Sequence, residues 1–551
     1  MKKVIFLLLF SFGVSNSFAQ WHSNPSLQEA IVHTSTEAQY PISTTDGHNG
    51  SIVAFWSGTS NIGVKKVNSN GVLQWGDSTN YKVVSTTYNR STGISIAPDQ
   101  HGGAYIAWTD YRFTSYSPEV FIQHIDSLGN ALWVSNGLRV DTLNYAFNYY
   151  PKLCLNDSGT VSILWTMDDG AGYQCYIQRY TSSGQALYNA GGIRVSVEPG
   201  FRYDCAINTD GNDGVVISFK DTRNCPNGTN YQTLQETNFD IYVQRLDAAG
   251  NRIWSADALV CHAPKNQPLR EYIRQVNVGN GYTVLAWSDL RNNTTAANVS
   301  ETNADIYAQR LDANGVAQWS ADGLSLSTLP GNQYMLSLIA DSAGGALAAW
   351  QSNNPSGVAS VSAQRLSAAG AGLWANGTSI ATPGLNCGSP SFFSDHAGGY
   401  TCIYGAANTS GTIWTARGQK FSASGNPQWS PAGIIITDTW PEFNCVESDS
   451  AGIIVIFSSA YQYNSNHNSL YGAKLLSNGN LAGAASNYTT IANGNWNDPS
   501  IWSGGVVPDA GSAVIINNTV TVTANTTCYS LTVIPPGNVH VNTGVVLTVL
   551  H

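Results

Sequence analysis

The chain has 551 residues, with 25 Lys and Arg against 35 Asp and Glu, a formal net charge of −10. Charged residues make up 11 %, under half the roughly 25 % usual in soluble domains, while aromatics also reach 11 % and Gly numbers 53. Low charge with abundant Trp and Tyr excludes a disordered acidic chain, and with no Lys/Arg cluster after residue 3 the sequence lacks the cationic phosphate contacts of a nucleic-acid partner.

Residues 1–19, MKKVIFLLLFSFGVSNSFA, have two lysines, an apolar run from Val4 to Val14 and a small-residue site ending at Ala19. That is the pattern of a secretory signal peptide. The run is shorter than the ~20 residues that span a bilayer, and no later segment reaches about 18 uninterrupted apolar residues. A secreted, extracellular or cell-surface protein without a membrane span is therefore expected. Nine cysteines follow at irregular spacing without a CxxC, most of them inside apolar strand-like runs. They read as small buried thiols, with one or two bridges as the alternative.

Eight copies of one unit occupy the next 450 or so residues. VQRLDAAGNRIWSADALV (243–260), AQRLDANGVAQWSADGLSL (308–326), AQRLSAAGAGLWANGTSI (363–380) and IQHIDSLGNALWVSNGLRV (122–140) are the same element. Its turn glycines fall at 71, 129, 184, 250, 315, 370, 425 and 479, separated by 58, 55, 66, 65, 55, 55 and 54 residues. Upstream of each copy lies an Asp, a Gly-containing turn and a strand usually ending in an aromatic, as in DQHGGAYIAW (99–108). Each unit thus supplies four short strands, a to d, with turn residues between them. Such a unit repeated eight times predicts propeller blades, not a helical solenoid. The eighth unit stops at Gly479-Asn480-Leu481 without a complete strand d, and residues 28–46 resemble an orphan strand d followed by strand a. An N-terminal strand completing the last blade would remove the open sheet edge.

The repeated residues have structural duties first. Trp56, Trp108, Trp165, Trp287 and Trp350 end strand b, with Phe219, Tyr404 and Phe457 in the other units. Trp75, Trp133, Trp254, Trp319, Trp374 and Trp429 sit in strand d. Large flat side chains at fixed places fill the gaps between twisted neighbouring sheets. Asp46, Asp99, Asp157, Asp210, Asp341, Asp395 and Asp449 are expected to open the a–b turn by accepting backbone N–H bonds. The DxxGxxxW element resembles the aspartate-box hairpins of sialidase-like propellers and the LDxxTGxxxW repeats of quinoprotein-type propellers, one residue shorter than the latter. Those motifs are structural, so the resemblance implies a fold and no activity.

Candidate ligand-binding residues lie where strands b–c and d–a are joined, on one face of the ring. WTDYR, FKDTR and WSDLR place Asp110/Arg112, Asp221/Arg223 and Asp289/Arg291 at the exit of strand b. They read either as local ion pairs or as arginines from several blades converging on an anionic sugar. The d–a loops bring Tyr149, Tyr150, Arg202, Tyr203, Tyr272, Tyr334 and Trp440, which suit stacking on sugar rings or sealing of the blade tops. The longest b–c loops, 224–238 and 292–304, lie on the same face. For catalysis the sequence offers Glu119, Glu236, Glu271 and Glu301 near that face, and no GxSxG, HExxH or compact Ser/His/Asp group. No cofactor or metal is expected, the DGNDG turn (210–214) being too short for a calcium loop.

After Ala485 the pattern changes to NYTTIANGNWNDPSIWSGGVVPDAG and then short alternating runs such as TVTVT and SLTVI. Residues 487–551 resemble modules of large surface proteins exported by bacterial type IX secretion, which read NWxxxxxWxxGxxP before a ladder of xLTV runs. Ending in mid-ladder, the chain reads as a truncated frame or fragment.

The expected fold is all-β: a signal peptide (1–19), an eight-bladed β-propeller (20–485) closed by its N-terminal strand, and an incomplete β-roll or β-helix-like module (486–551). The expected role is recognition or adhesion, a monomeric propeller binding a glycan or surface protein through the loop face. A glycoside hydrolase or polysaccharide lyase on the same scaffold and a structural spacer of an adhesin are the alternatives.

Overall fold

In a computed structural model, the alternation of apolar runs with Asp/Gly turns folds into eight four-stranded antiparallel sheets. The structure describes Trp21 and residues 29–549, apart from 34–37, 59–60, 87–92, 114–116, 142–147, 225–238, 263–272, 293–303, 375–377, 381–383, 396–397, 412–413, 438–440, 450–451, 460–468, 483–486, 509–512 and single residues between them. Blade 1 comprises Ala38–Thr45, Ser51–Ser57, Asn61–Val67 and Lys82–Thr86. The first strands of blades 2 to 7 begin at Ile94, Asn148, Arg202, Arg274, Asn332 and Asn386. Blade 8 is Pro441–Asp449, Gly452–Ser459 and Leu470–Leu476, and its outer strand is the N-terminal Glu29–Val32. Glu29 pairs with Gly472 and Ala30 with Tyr471, antiparallel.

The sheets close into a ring. From blade 8 through blade 1 to blade 7, each first strand lies beside the first strand of the next blade, and blade 7 meets blade 8 through its third strand. Eight apolar clusters fill the eight blade-to-blade interfaces. The closing one joins Ile454 and Ile456 of blade 8 and Val53 and Phe55 of blade 1 around Trp21, Ile31 and Val32. Because each sheet is covered on both sides, strands such as Ser51–Ser57, Ala104–Asp110 and Thr283–Asp289 are buried along their whole length. The eight-bladed all-β propeller expected from the repeats is the observed architecture.

The repeated Trp and Gly form one device. In five blades the Trp expected in strand d lies just ahead of it, and its indole N–H donates to a carbonyl in the next blade's c–d turn: Trp75 to Ser127 (3.0 Å), Trp133 to Ser182 (2.9 Å), Trp254 to Ala313 (3.1 Å), Trp319 to Ala368 (3.1 Å) and Trp374 to Ala423 (2.9 Å). The turn glycine lies under that ring at positive φ. A Cβ at Gly315 would sit 3.1 Å from Trp254, and one at Gly425 2.8 Å from Trp374. The Trp missing from the eighth unit is supplied by Trp21, which is buried and donates to Ser69 at 2.9 Å.

The a–b turns behave as expected in most blades. Asp46, Asp99, Asp210, Asp341 and Asp395 each accept the N–H four residues on at 2.7–2.8 Å. Blade 3 is a correction: Asn156 opens that turn, and Asp157 reaches across to the N–H of Asp213 in blade 4 at 2.9 Å. The side chain of Asp449 lies outside the described residues. The second carboxylate oxygen of these aspartates meets a strand-c Lys, Arg or His side chain, as in Asp210 with Arg245 at 2.8 Å, and Arg245 continues to Ala313 of the next blade. Among the described cysteines, Cys175 and Cys205 form a disulfide between blades 3 and 4, while Cys154, Cys261 and Cys528 are thiols.

Residues from Asn487 onward pair in parallel. Asn487–Thr489, Ala513–Ile516 and Ser530–Val533 form one sheet, and Gly494–Asn495, Thr519–Val522 and Asn538–Val541 a second. Thr526–Cys528 pairs with Leu547–Val549 in a third. They coil around Trp496, Trp502, Val514, Ile516, Val520, Val522 and Cys528.

Candidate functional site

The three Asp/Arg pairs are local. In blade 2, Trp108 stacks on its cross-strand neighbour Phe121, and its indole N–H donates to Asp110 Oδ2 at 2.9 Å. Arg112 returns from the turn, donates from Nε to Asp110 Oδ1 at 2.9 Å and lies 3.6 Å from the centroid of Phe121. Blade 5 repeats this with Trp287, Tyr307, Asp289 and Arg291, whose guanidinium is 3.7 Å from the Tyr307 centroid. In blade 4, Phe219 has no indole N–H to offer Asp221, and the buried Arg202 takes its place at 3.2 Å. Arg223 pairs there with Asp221 and Asp257 and covers Tyr242 at 3.9 Å. A buried carboxylate thus joins a ring stack to a capping guanidinium in each of the three blades.

The aromatic candidates separate by position. Tyr203 packs against Tyr173 and Phe239. The Tyr334 hydroxyl accepts from Gln351 (2.8 Å) and Asn353 (2.7 Å). Tyr149 is half-buried and touches the exposed Tyr150. Tyr272 and Trp440 lie outside the described residues, as do Glu236, Glu271, Glu301 and nearly all of the two long b–c loops.

Tyr150 belongs to a feature that carries no turn signature in the sequence. The first strand of five blades breaks register near its start, between Gln39 and Ile42, Tyr149 and Lys152, Tyr203 and Ala206, Tyr334 and Ser337, and Gly388 and Ser391. Four of these bulges place a non-glycine residue in the left-handed region: Tyr40 (φ 51°), Tyr150 (φ 55°), Asp204 (φ 49°) and Ser389 (φ 53°). Such backbone is strained and collects at binding sites and sheet rims. First strands surround the axis of a propeller, and their starts lie at the d–a end, so the bulges mark the loop-face mouth of the channel. Tyr40 and Tyr150 are 58 % and 54 % exposed there.

Charge enters the same mouth on blades 3 to 5. Asp204 is gripped by the buried Lys220 at 2.6 Å, beside Cys205 of the disulfide. Lys152 of blade 3 and Arg274 of blade 5 are exposed, and Arg274 Nε donates to Leu336 in the blade 6 bulge at 3.0 Å. Although the side chain reaches solvent, desolvation by the protein around it and the Arg274 charge hold the Lys152 ammonium below the usual lysine value, with Asp204 opposing them. Sequence reading missed Tyr40, Lys152, Asp204, Lys220 and Arg274. The Tyr-Pro pairs at 40–41 and 150–151 were the available signal, since Pro in a strand marks an unpaired position.

Glu119 sits at the rim of blade 2, opposite Asp110. It is buried and paired with Arg139 at 3.0 Å, and its Oε2 has no hydrogen-bond partner among the described residues. Burial raises its carboxyl to about 7, Arg139 working against the rise and Asp141 and Asp110 adding to it. No group of three or more His, Cys, Asp or Glu among the described residues is arranged to hold a metal ion. No helix among them is long and apolar enough to cross a membrane.

No protein family matches the chain, and no curated protein matches it. Among solved structures, a protein of unknown function from Dyadobacter fermentans is 9 % identical and covers 83 % of this chain and 98 % of its own, with a TM-score of 0.36. An ulvan lyase, a polysaccharide lyase, is 10 % identical over 71 % of this chain and 92 % of its own, with a TM-score of 0.42. A lectin from Burkholderia pseudomallei is 11 % identical over 74 % and 99 %, with a TM-score of 0.40. At such identities no activity is transferred from any of them to this chain.

Proposed function

We propose that the chain is an exported recognition protein that binds glycan at the loop-face mouth of its propeller channel. The observation that carries this reading is the pair of exposed tyrosines, Tyr40 and Tyr150, held at positive φ on inner strands. The strand-b and strand-d aromatics, by contrast, are packed between blades. Exposed rings held on strained backbone suit binding, since sugar faces stack on such rings. Export is supported by the 1–19 segment and by the Cys175–Cys205 bridge, a bond that persists in oxidising compartments. The C-terminal coil fits attachment within a larger surface protein.

A glycan array probed with the chain from Gln20 onward tests the reading, coupled to a reducing-end release assay on the hits. Binding without release is expected, and Tyr40→Ala and Tyr150→Ala each weaken it at least tenfold. An empty array, or hits that both variants retain in full, overturns it.

A further inference from the structure

Near the end of strand c every blade but the second carries a Lys or an Arg, and the second carries His124. The basic side chain forks between blades. In blade 4, Arg245 meets Asp210 of its own a–b turn at 2.8 Å and the Ala313 carbonyl of blade 5 at 3.0 Å, an oxygen that also accepts the Trp254 indole N–H. In blade 6, Arg365 meets Asp341 at 3.4 Å and the Ala423 carbonyl of blade 7 at 3.0 Å, shared with Trp374. His124 makes the same fork with an imidazole. Its Nε2 lies 3.0 Å from Asp99 Oδ2, and its Nδ1 lies 3.0 Å from the Ser182 carbonyl of blade 3, which also accepts the Trp133 indole N–H.

Both partners of the ring are acceptors. A carbonyl oxygen cannot donate, and Asp99 is ionised. Burial opposes its charge, but bonds from His124 and from the N–H groups of His101 and Gly103 prevail and hold the carboxyl below its usual value. A neutral imidazole has one N–H, so it serves one of the two oxygens and turns a lone pair on the other. Only the imidazolium closes both bonds. The ring is held in place, being buried, stacked on Tyr105 with centroids 4.2 Å apart and edge-on to Trp133. The titratable groups around it have other attachments. Burial pushes the phenols of Tyr105 and of Tyr180, across Trp133, up and keeps them neutral. Lys66 of blade 1 bonds the Gly102 carbonyl of the Asp99 turn at 2.8 Å and pairs with Asp46. Asp126 accepts N–H bonds within its own c–d turn, and the exposed His101 sets its Nδ1 2.7 Å from the Asp99 carbonyl.

We propose that His124 is a pH-operated clasp between blades 2 and 3. Charged, it ties the Asp99 turn to the Ser182 turn; on losing its proton it releases one of them and loosens the ring at that joint. The Lys and Arg forks of the other blades keep their charge over the same range, so the effect is confined to one junction. It does not depend on what the loop face binds. An ordinary imidazole loses its second proton at about pH 6.5. A group that gains partners in its charged form contributes stability that is whole below that value and is lost as pH rises above it.

The test compares the chain with His124→Arg, which places here the residue that blades 4 and 6 carry, by urea unfolding at about pH 5.5 and about pH 8.5. The variant should gain on wild type as pH rises, the ratio of the two folding constants moving by about tenfold between these values. Glu119 and His101 are present in both proteins, so their own pH dependence cancels from the ratio. A ratio that moves by less than about twofold overturns the clasp. Ring nitrogen shifts of wild type labelled with ¹⁵N-histidine read the same point directly, the His124 signals being assigned by their loss from His124→Arg or His124→Gln. Both nitrogens should carry a proton at the lower pH and one of them at the higher. A ring that stays in a single form at both values overturns the inference, whatever the variants do.

Discussion

Glu119 shows how burial within a repeated clamp changes a residue's chemistry. A carboxylate faces a carboxylate across strands b and c in three blades: Asp110 and Glu119, Asp221 and Asp240, Asp289 and Asp305. Like charges directly opposite are unfavourable. Blades 4 and 5 relieve this with Asn224 and Asn292, whose amides donate to Asp240 (2.7 Å) and Asp305 (2.8 Å). Blade 2 has Phe113 at that position, and Glu119, raised chiefly by burial with Asp141 and Asp110 adding to it, keeps its proton up to about pH 7 against an ordinary value of 4.5. Between those two pH values the folded state binds more protons than the unfolded one. This group's contribution to stability therefore falls as pH rises through the window and is level above it. Glu119→Gln should match wild type near pH 4 and exceed it at pH 8 by on the order of 2 kcal/mol, measured by denaturant unfolding at both pH values. Parallel pH profiles would show that Glu119 ionises normally.

Among elements, the N-terminal segment closes the ring without a covalent link. Its strand Glu29–Val32 was legible because it resembles the outer strands of other units, but Trp21 was not. In blade 4 the Trp precedes its outer strand by four residues, Trp254 to Ala258, whereas Trp21 precedes Glu29 by eight. The longer connection hides the repeat, while the bond from Trp21 to Ser69 reproduces the one from Trp75 to Ser127. Trp21→Ala should therefore destabilise the protein as much as Trp75→Ala does, by about 3–5 kcal/mol. The pair is compared by urea unfolding. A loss under about 1 kcal/mol for Trp21→Ala alone would mean that the segment decorates the ring and does not seal it. The inner-strand bulges were illegible for another reason. They depend on how eight first strands crowd one axis, and local sequence marks them only by Pro41, Pro151 and Pro390.

For the whole molecule, the repeats were readable because each of their residues has a contact that recurs from blade to blade. The turn glycine lies under the preceding blade's Trp, the a–b Asp closes its own turn, and the strand-b aromatic fills an interface. The candidate site was readable only in part, since nothing repeated defines it. Asp/Arg pairs drew attention by recurring, and recurrence is what a structural clamp produces. The channel mouth is built from residues that differ between most blades: a Tyr-Pro pair recurs in blades 1 and 3 alone, and Lys152, Asp204 and Arg274 each occur once at their places. The direct measurement sets Tyr150→Ala against Arg291→Ala on a glycan that wild type binds, reading affinity by calorimetry and unfolding temperature in parallel. Tyr150→Ala should lose at least tenfold in affinity with its unfolding temperature kept, and Arg291→Ala should keep its affinity while unfolding at a lower temperature. The reverse pattern would contradict the placement of the site at the channel mouth.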